Sequence, residues 1–161
     1  MNLETDLQTL EAQEKLLVFK SFSEDQAHQL GELIISKAQA ANQSITVLVR
    51  MGGSPVYLRA MVGTAPANFQ WATRKANLSE YYGQCSYRLG QENQRSNIDV
   101  IARSGLSLSE YAANGGSFPI RVSGVGLVGS VTVSGLPQRE DHILVSNSIA
   151  EFLNLSLPQI S

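Results

Sequence analysis

Val128-Gly129-Ser130-Val131-Thr132-Val133-Ser134-Gly135-Leu136-Pro137-Gln138-Arg139-Glu140-Asp141-His142 carries a strand, a turn and a helix start in one unbroken run. Val131-Thr132-Val133 has high β propensity. Gly135 interrupts the run, and Pro137 suits the first turn of a helix, where its missing N–H is no loss. Val145, Ile149 and Phe152 then continue as a buried stripe at helical spacing. Glu140 and Asp141 complement the positive end of that helix's dipole.

Working outward, Asn114-Gly115-Gly116 reads as a turn and Phe118–Val122 as a strand. Gly124–Gly129 is a glycine-punctuated connection or strand start. Its Gly124-x-Gly126-x-x-Gly129 spacing matches a dinucleotide fingerprint, yet a strand follows where that motif needs a helix to open. The glycines are therefore read as permitting a bulge or a close backbone approach.

Towards the N-terminus, Leu3, Leu7 and Leu10 mark a short helix, and Leu16–Phe19 reads as a first strand. Ser23-Glu24-Asp25-Gln26 is a capping box opening a helix over 24–42, with Ala27, Leu30, Ile34, Ala38 and Ala41 on its apolar face. Ile45–Met51 and Val56–Val62 form a hairpin around Gly52-Gly53-Ser54-Pro55. Asn68–Tyr82 is helical, Ser86–Gln94 is a further helix, and 96–110 shows no decisive pattern. The order helix, strand, helix, strands, helices, strands, helix is α+β with hairpin-joined antiparallel strands, in a single domain spanning 1–161.

The 161 residues include 12 Lys and Arg against 14 Asp and Glu, a net charge of −2, with 43% hydrophobic residues. This composition excludes disorder, collagen-like repeats and a disulfide scaffold. The acidic balance (pI about 5.7) argues against nucleic acid as a partner. Glu4, Asp6, Glu11 and Glu14 stand where a signal peptide has basic and then apolar residues, and no apolar run is long enough to span a membrane. With Cys85 as the only cysteine, these features point to a cytoplasmic, reduced protein without membrane association. Charged residues are only 16% of the chain, so little charge opposes self-association, and a homo-oligomer is expected.

Candidate chemistry is sparse. Two histidines, His28 and His142, cannot make a three-histidine site, and no Walker, nucleophile-elbow or zinc signature occurs. Asp141 and His142 form either a dipole-complementing helix start or a polar pair at a pocket rim. Arg74 and Lys75, beside the lone Trp71, form either a solvated face next to a packed tryptophan or part of an anion or aromatic-ligand site.

Three segments together resemble one family of uncharacterised bacterial and fungal proteins. They are Asn68-x-x-Trp71-x-x-Arg74-Lys75, Tyr111-Ala112-Ala113-Asn114-Gly115-Gly116-Ser117-Phe118-Pro119-Ile120, and the run 128–142 quoted above. That family is similar to the wider GlcG/HbpS-like, or heme-degrading domain, group. The resemblance implies a profilin-like fold: a five-stranded antiparallel sheet between helix layers, in three α/β/α layers. It also implies homo-oligomers and, in some relatives, heme or cobalamin-related binding. The chain departs from the pattern twice, with Ala67 where Asp is frequent and Asn114 where His is common before the double glycine. A histidine at 114 would suit iron or acid–base chemistry; asparagine does neither.

The combined expectation is a pocket for an anionic small molecule, with heme or a related tetrapyrrole as the first candidate. It would be built from Asn114, Gly115, Gly116, Ser117, Phe118, Ser134, Gly135, Asp141 and His142, with Arg74 or Lys75 as anion partners. Gly115, Gly116 and Gly135 would leave backbone N–H groups open to the ligand near a helix N-terminus. Two other readings stand beside it: a scaffold for protein–protein contacts, and an enzyme acting on a small acid or cofactor through Asp141 and His142.

Overall fold

The computed structural model describes residues 2–161. Its elements are α1 (Leu3–Leu16), α2 (Glu24–Ala40), β1 (Thr46–Met51), β2 (Ser54–Ala60), α3 (Pro66–Tyr82), α4 (Ser86–Ser96), α5 (Val100–Arg103), β3 (Ser117–Val122), β4 (Gly126–Ser134) and α6 (Gln138–Phe152). The sheet runs β2-β1-β4-β3 and every pairing is antiparallel.

The α+β class and the helix-flanked antiparallel sheet match the expectation; the strand number does not. The sheet has four strands, not five. The segment Leu16–Phe19, read as a strand from its apolar residues, makes a single parallel bridge from Phe19 to Val122. Phe19 donates to Arg121 O (2.8 Å) and accepts from Ser123 N (2.9 Å). Lys20 and Ser21 then turn out to solvent and Ser23 caps α2, so the pairing cannot lengthen. The apolar pattern was real burial, since Leu17 and Phe19 are in the core, but it belongs to a crossing segment.

The β1–β2 turn is also tighter than read. Gly52 and Gly53, at φ 58° and 82°, make a two-residue turn of the kind that needs left-handed backbone at both positions. Ser54 and Pro55 already belong to β2. Proline is tolerated there because β2 is an edge strand and the register shifts between Val49 and Arg50.

Alternation along the strands separates two unlike faces. Val47, Val49, Phe118, Ile120, Val131 and Val133 pack with Leu30 and Ile34 of α2 and Val145 and Ile149 of α6 in one apolar core. The opposite face meets α3. There Leu48 touches Ala72 and Ala76, and the neighbouring buried residues are polar: Thr46, Arg50, Ser117, Ser130, Thr132 and Ser134. Arg50 donates to Glu80 through Nε (3.1 Å) and Nη2 (2.5 Å) and to Asn77 Oδ1 (2.9 Å). Ser130 donates to the same Glu80 (2.8 Å), and Thr132 to Ser117 (2.8 Å). Helix α3 is thus held on the sheet by hydrogen bonds as much as by apolar contact.

Gly129 shows what the glycine-rich segment is for. A Cβ at that position would lie 1.8 Å from the Arg50 carbonyl oxygen on β1. The close approach, and the register shift between Ile120 and Arg121 on the neighbouring strand, agree with the sequence reading. Gly129→Ala should destabilise the fold by about 1–3 kcal/mol through overpacking against backbone, measured by urea unfolding.

Candidate functional site

Three separate segments converge on a cleft of about 280 Å³. Helix α3 contributes Asn68, Trp71 and Lys75, one face of the helix at spacings of three and four. The loop before β3 contributes Asn114 and Gly115. The turn from β4 into α6 contributes Ser134, Gly135, Leu136, Gln138 and Asp141.

The floor of the cleft is a buried ion pair. Lys75 is 2% exposed, and its Nζ donates to Asp141 Oδ2 (3.0 Å), Gly115 O (2.9 Å) and Val133 O (2.6 Å). Asp141 Oδ1 accepts from the Leu136 N–H at 3.0 Å. Burial pushes the Asp141 carboxyl up to about 6, against the pull of Lys75 and of the Leu136 and Gly135 backbone. Burial likewise pushes the Lys75 ammonium down, opposed by Asp141. Both shifts have one cause: removing the charges from water outweighs their mutual attraction.

The double glycine builds this floor. Gly116 has φ +128°, and a Cβ there would lie 2.4 Å from Val133 O and 2.6 Å from Lys75 Nζ. A Cβ on Gly115 would lie 2.3 Å from Gln138 O and 2.7 Å from the Tyr87 ring. Gly115 N–H donates to Gln138 Oε1 at 3.0 Å. The expected open anion site is therefore filled from within. The Gly115 N–H serves Gln138, the Leu136 N–H in the turn ahead of α6 serves Asp141, and Lys75 serves Asp141 and two carbonyls.

Of the other expected residues, Ser134, Gly135, Asn114 and Asp141 reach the cleft, while Ser117, Phe118 and His142 do not line it. Ser117 and Phe118 are buried, the former bonded to Thr132 and Ser86, the latter in the apolar core. His142 is 1% exposed, bonds to the Gln13 side chain (2.9 Å), and stacks on Tyr87 at 5.2 Å. Burial pushes it down to about 3, so it is neutral. Consecutive helical residues point about 100° apart; with Asp141 facing the cleft, His142 must face the core. The acid–base reading is left with Asp141 alone. Arg74 also lies outside the cleft, its guanidinium 4.4 Å above the Trp71 ring.

Asn68 is not among the residues expected in the pocket from sequence, while Leu136 and Gln138 lie within the expected stretch 134–142 without being singled out. The 68/71/75 spacing was the available signal for Asn68. Gln138 required knowing that its side chain turns back to Gly115.

No His, Cys, Met or Tyr lines the cleft. His28 packs edge-on against Tyr57 on the α2 side, and Cys85 is fully buried with its thiol pushed up by burial. Among the described residues, no group of three His, Cys, Asp or Glu side chains is placed to hold a metal. The donor set does not fit axial ligation of a heme iron.

A family model described as "Haem degrading protein HbpS-like" matches residues 22–150. A "UPF0303 protein" of Azotobacter vinelandii (strain DJ / ATCC BAA-1303) is 41% identical over 161 residues, covering 100% of this chain and 97% of that relative. The solved Ybr137w protein superposes with a TM-score of 0.84 at 24% identity, covering 92% of this chain and 87% of that one. A solved PduOC:Heme complex superposes at 0.72 and 20% identity, covering 86% and 99%. At these identities the two structures establish the fold.

Two predictions follow from the floor and from the buried imidazole. Asp141→Asn leaves Lys75 as an uncompensated buried cation and should cost about 3–5 kcal/mol, whereas Lys75→Met/Asp141→Leu together should recover most of that loss in urea unfolding. His142 accepts a proton in the unfolded chain below its ordinary value of 6.5 but in the fold only near 3. Its contribution is complete above 6.5 and is lost as pH falls towards 3. Between pH 7 and pH 5 the stability difference between wild type and His142→Gln should therefore move by about 2 kcal/mol in the variant's favour.

Proposed function

Because the chain belongs to the HbpS-like family, we propose that it is a small-molecule-binding protein whose ligand sits in the α3–α6 cleft against Trp71. The observation that carries this reading is the chemistry of the wall. Trp71, the only tryptophan, is 39% exposed there beside three carboxamides, Asn68, Asn114 and Gln138, and the Ser134 hydroxyl. An aromatic face with amide donors and acceptors suits a planar ligand with oxygen or nitrogen on its edge.

A tetrapyrrole is the first candidate of that kind, supported by the family description and by the fold shared with a protein solved as a heme complex. It would be held by its ring face and its edge, with the metal making no bond to this cleft. The cleft lies at the small end of ligand pockets, so a macrocycle would extend beyond its mouth. A second copy of the chain covering that mouth fits the expected homo-oligomer. No helix among the described residues is long and apolar enough to cross a membrane, and we place the protein in the cytoplasm.

Trp71 makes the test direct, since all tryptophan emission comes from the cleft wall. Hemin and metal-free protoporphyrin should quench it saturably and with similar affinity. Asn114→Ala or Gln138→Ala should weaken both roughly three- to tenfold, the size of one neutral hydrogen bond. Linear, unsaturable quenching, or binding confined to hemin, would overturn the reading.

A further inference from the structure

Beside the cleft, on the next face of α3, lies a second groove of about 340 Å³ lined by Phe69, Gln70, Thr73, Arg74, Asn77, Ser109 and Glu110. Its cation is the one whose side chain carries an enclosed donor without a partner among the described residues. Arg50 and Arg88 each meet a carboxylate at 2.5 Å. Arg74 has no carboxylate within 4 Å among the described residues, and its side chain makes no hydrogen bond. Its Nε is enclosed without any partner. The guanidinium is instead held flat over Trp71 at 4.4 Å.

An enclosed charged donor without an acceptor costs free energy, and stacking on an indole at a partly exposed site returns only part of it. A planar guanidinium set on an aromatic shelf is also the arrangement that presents a fork of N–H donors to a carboxylate. Phe69, 40% exposed, supplies the groove with an apolar wall. Asn77 is not free to compete, because its Oδ1 accepts from Arg50 and its Nδ2 donates to the Glu110 carbonyl (2.8 Å).

We propose that this groove is an oxyanion subsite in which Arg74 binds the carboxylate of a small organic acid whose apolar body lies against Phe69. The bound carboxylate accepts from the guanidinium N–H groups at the groove. The apolar wall favours an aryl or alkyl carboxylate over inorganic phosphate. The subsite stands independently of the cleft ligand, although Trp71 is common to both walls.

Benzoate, acetate and inorganic phosphate are the probes, read by Trp71 emission and by calorimetry on the full chain. Benzoate should bind saturably and more tightly than acetate or phosphate. Arg74→Gln and Arg74→Lys should each weaken benzoate, the former roughly tenfold or more, as for a lost charge-assisted hydrogen bond; circular dichroism establishes that both variants are folded. Benzoate binding unchanged in Arg74→Gln would overturn the proposal. So would binding abolished by Asn114→Ala, which would put benzoate in the cleft. So would binding that emerges only in Glu110→Gln, which would mean that the chain's own carboxylate closes the groove. Phosphate bound as tightly as benzoate would likewise overturn the carboxylate assignment.

Discussion

The Lys75–Asp141 pair ties together parts of the chain that no covalent proximity joins. One ammonium group reaches the loop before β3 at Gly115, the end of β4 at Val133, and the first turn of α6 at Asp141. The carboxylate reaches back to the turn at Leu136. Helix α3, on one face of the sheet, is thereby fixed to α6, on the other, across the sheet's end. An interior ion pair adds little net stability, since desolvation consumes most of the attraction. What it fixes is geometry: the cleft exists because these three segments are held at one set of distances.

The same economy runs along the polar side of the sheet. An apolar strand face would have let α3 slide, because hydrophobic contact is non-directional. The Arg50–Glu80–Asn77–Ser130 cluster instead specifies the position of the helix one turn beyond Lys75. Ala72 and Ala76, flanking Lys75, permit the close approach to Leu48 that buries it. Directional bonds on one face and an apolar core on the other divide the labour between placing α3 and driving the fold.

Most elements were legible from local pattern. The run from Val128 through Phe152 carried propensity, turn chemistry and helical periodicity that agreed with each other, and α2 was announced by its cap. Even there the detail differed: Ser23 accepts from Gln26 N–H (3.2 Å), but the Gln26 side chain reaches Ser21 O (3.0 Å) and not back to Ser23. The site was less legible because its decisive facts are tertiary. Arg74 and Lys75 are adjacent cations with the same local signal, and only the packing of α3 sends one under the sheet's end and leaves the other on Trp71. Asp141 and His142 divide in the same way. Short-range pattern also has no means of telling a strand from a buried crossing segment, and Leu16–Phe19, with its single bridge to Val122, is the latter.

The self-filled floor constrains the chemistry the cleft can perform. A buried ammonium beside an open turn N–H would ordinarily draw a ligand's anion, but here Asp141 already takes Lys75 and the Leu136 N–H. Apart from the Lys75–Asp141 floor, the groups facing the cleft are amides, a hydroxyl and an indole, none of which changes charge near neutral pH. With asparagine at 114 and His142 sealed in the core, recognition in the cleft works by shape, stacking and hydrogen bonds. Any net charge on the ligand then has to be met elsewhere, and Arg74, one helical turn along α3 from Trp71 and stacked on it, is a cation without a carboxylate partner beside the cleft. The separation of a neutral recognition cleft from a charged neighbour follows from one internal carboxylate occupying the place where an anion would otherwise bind.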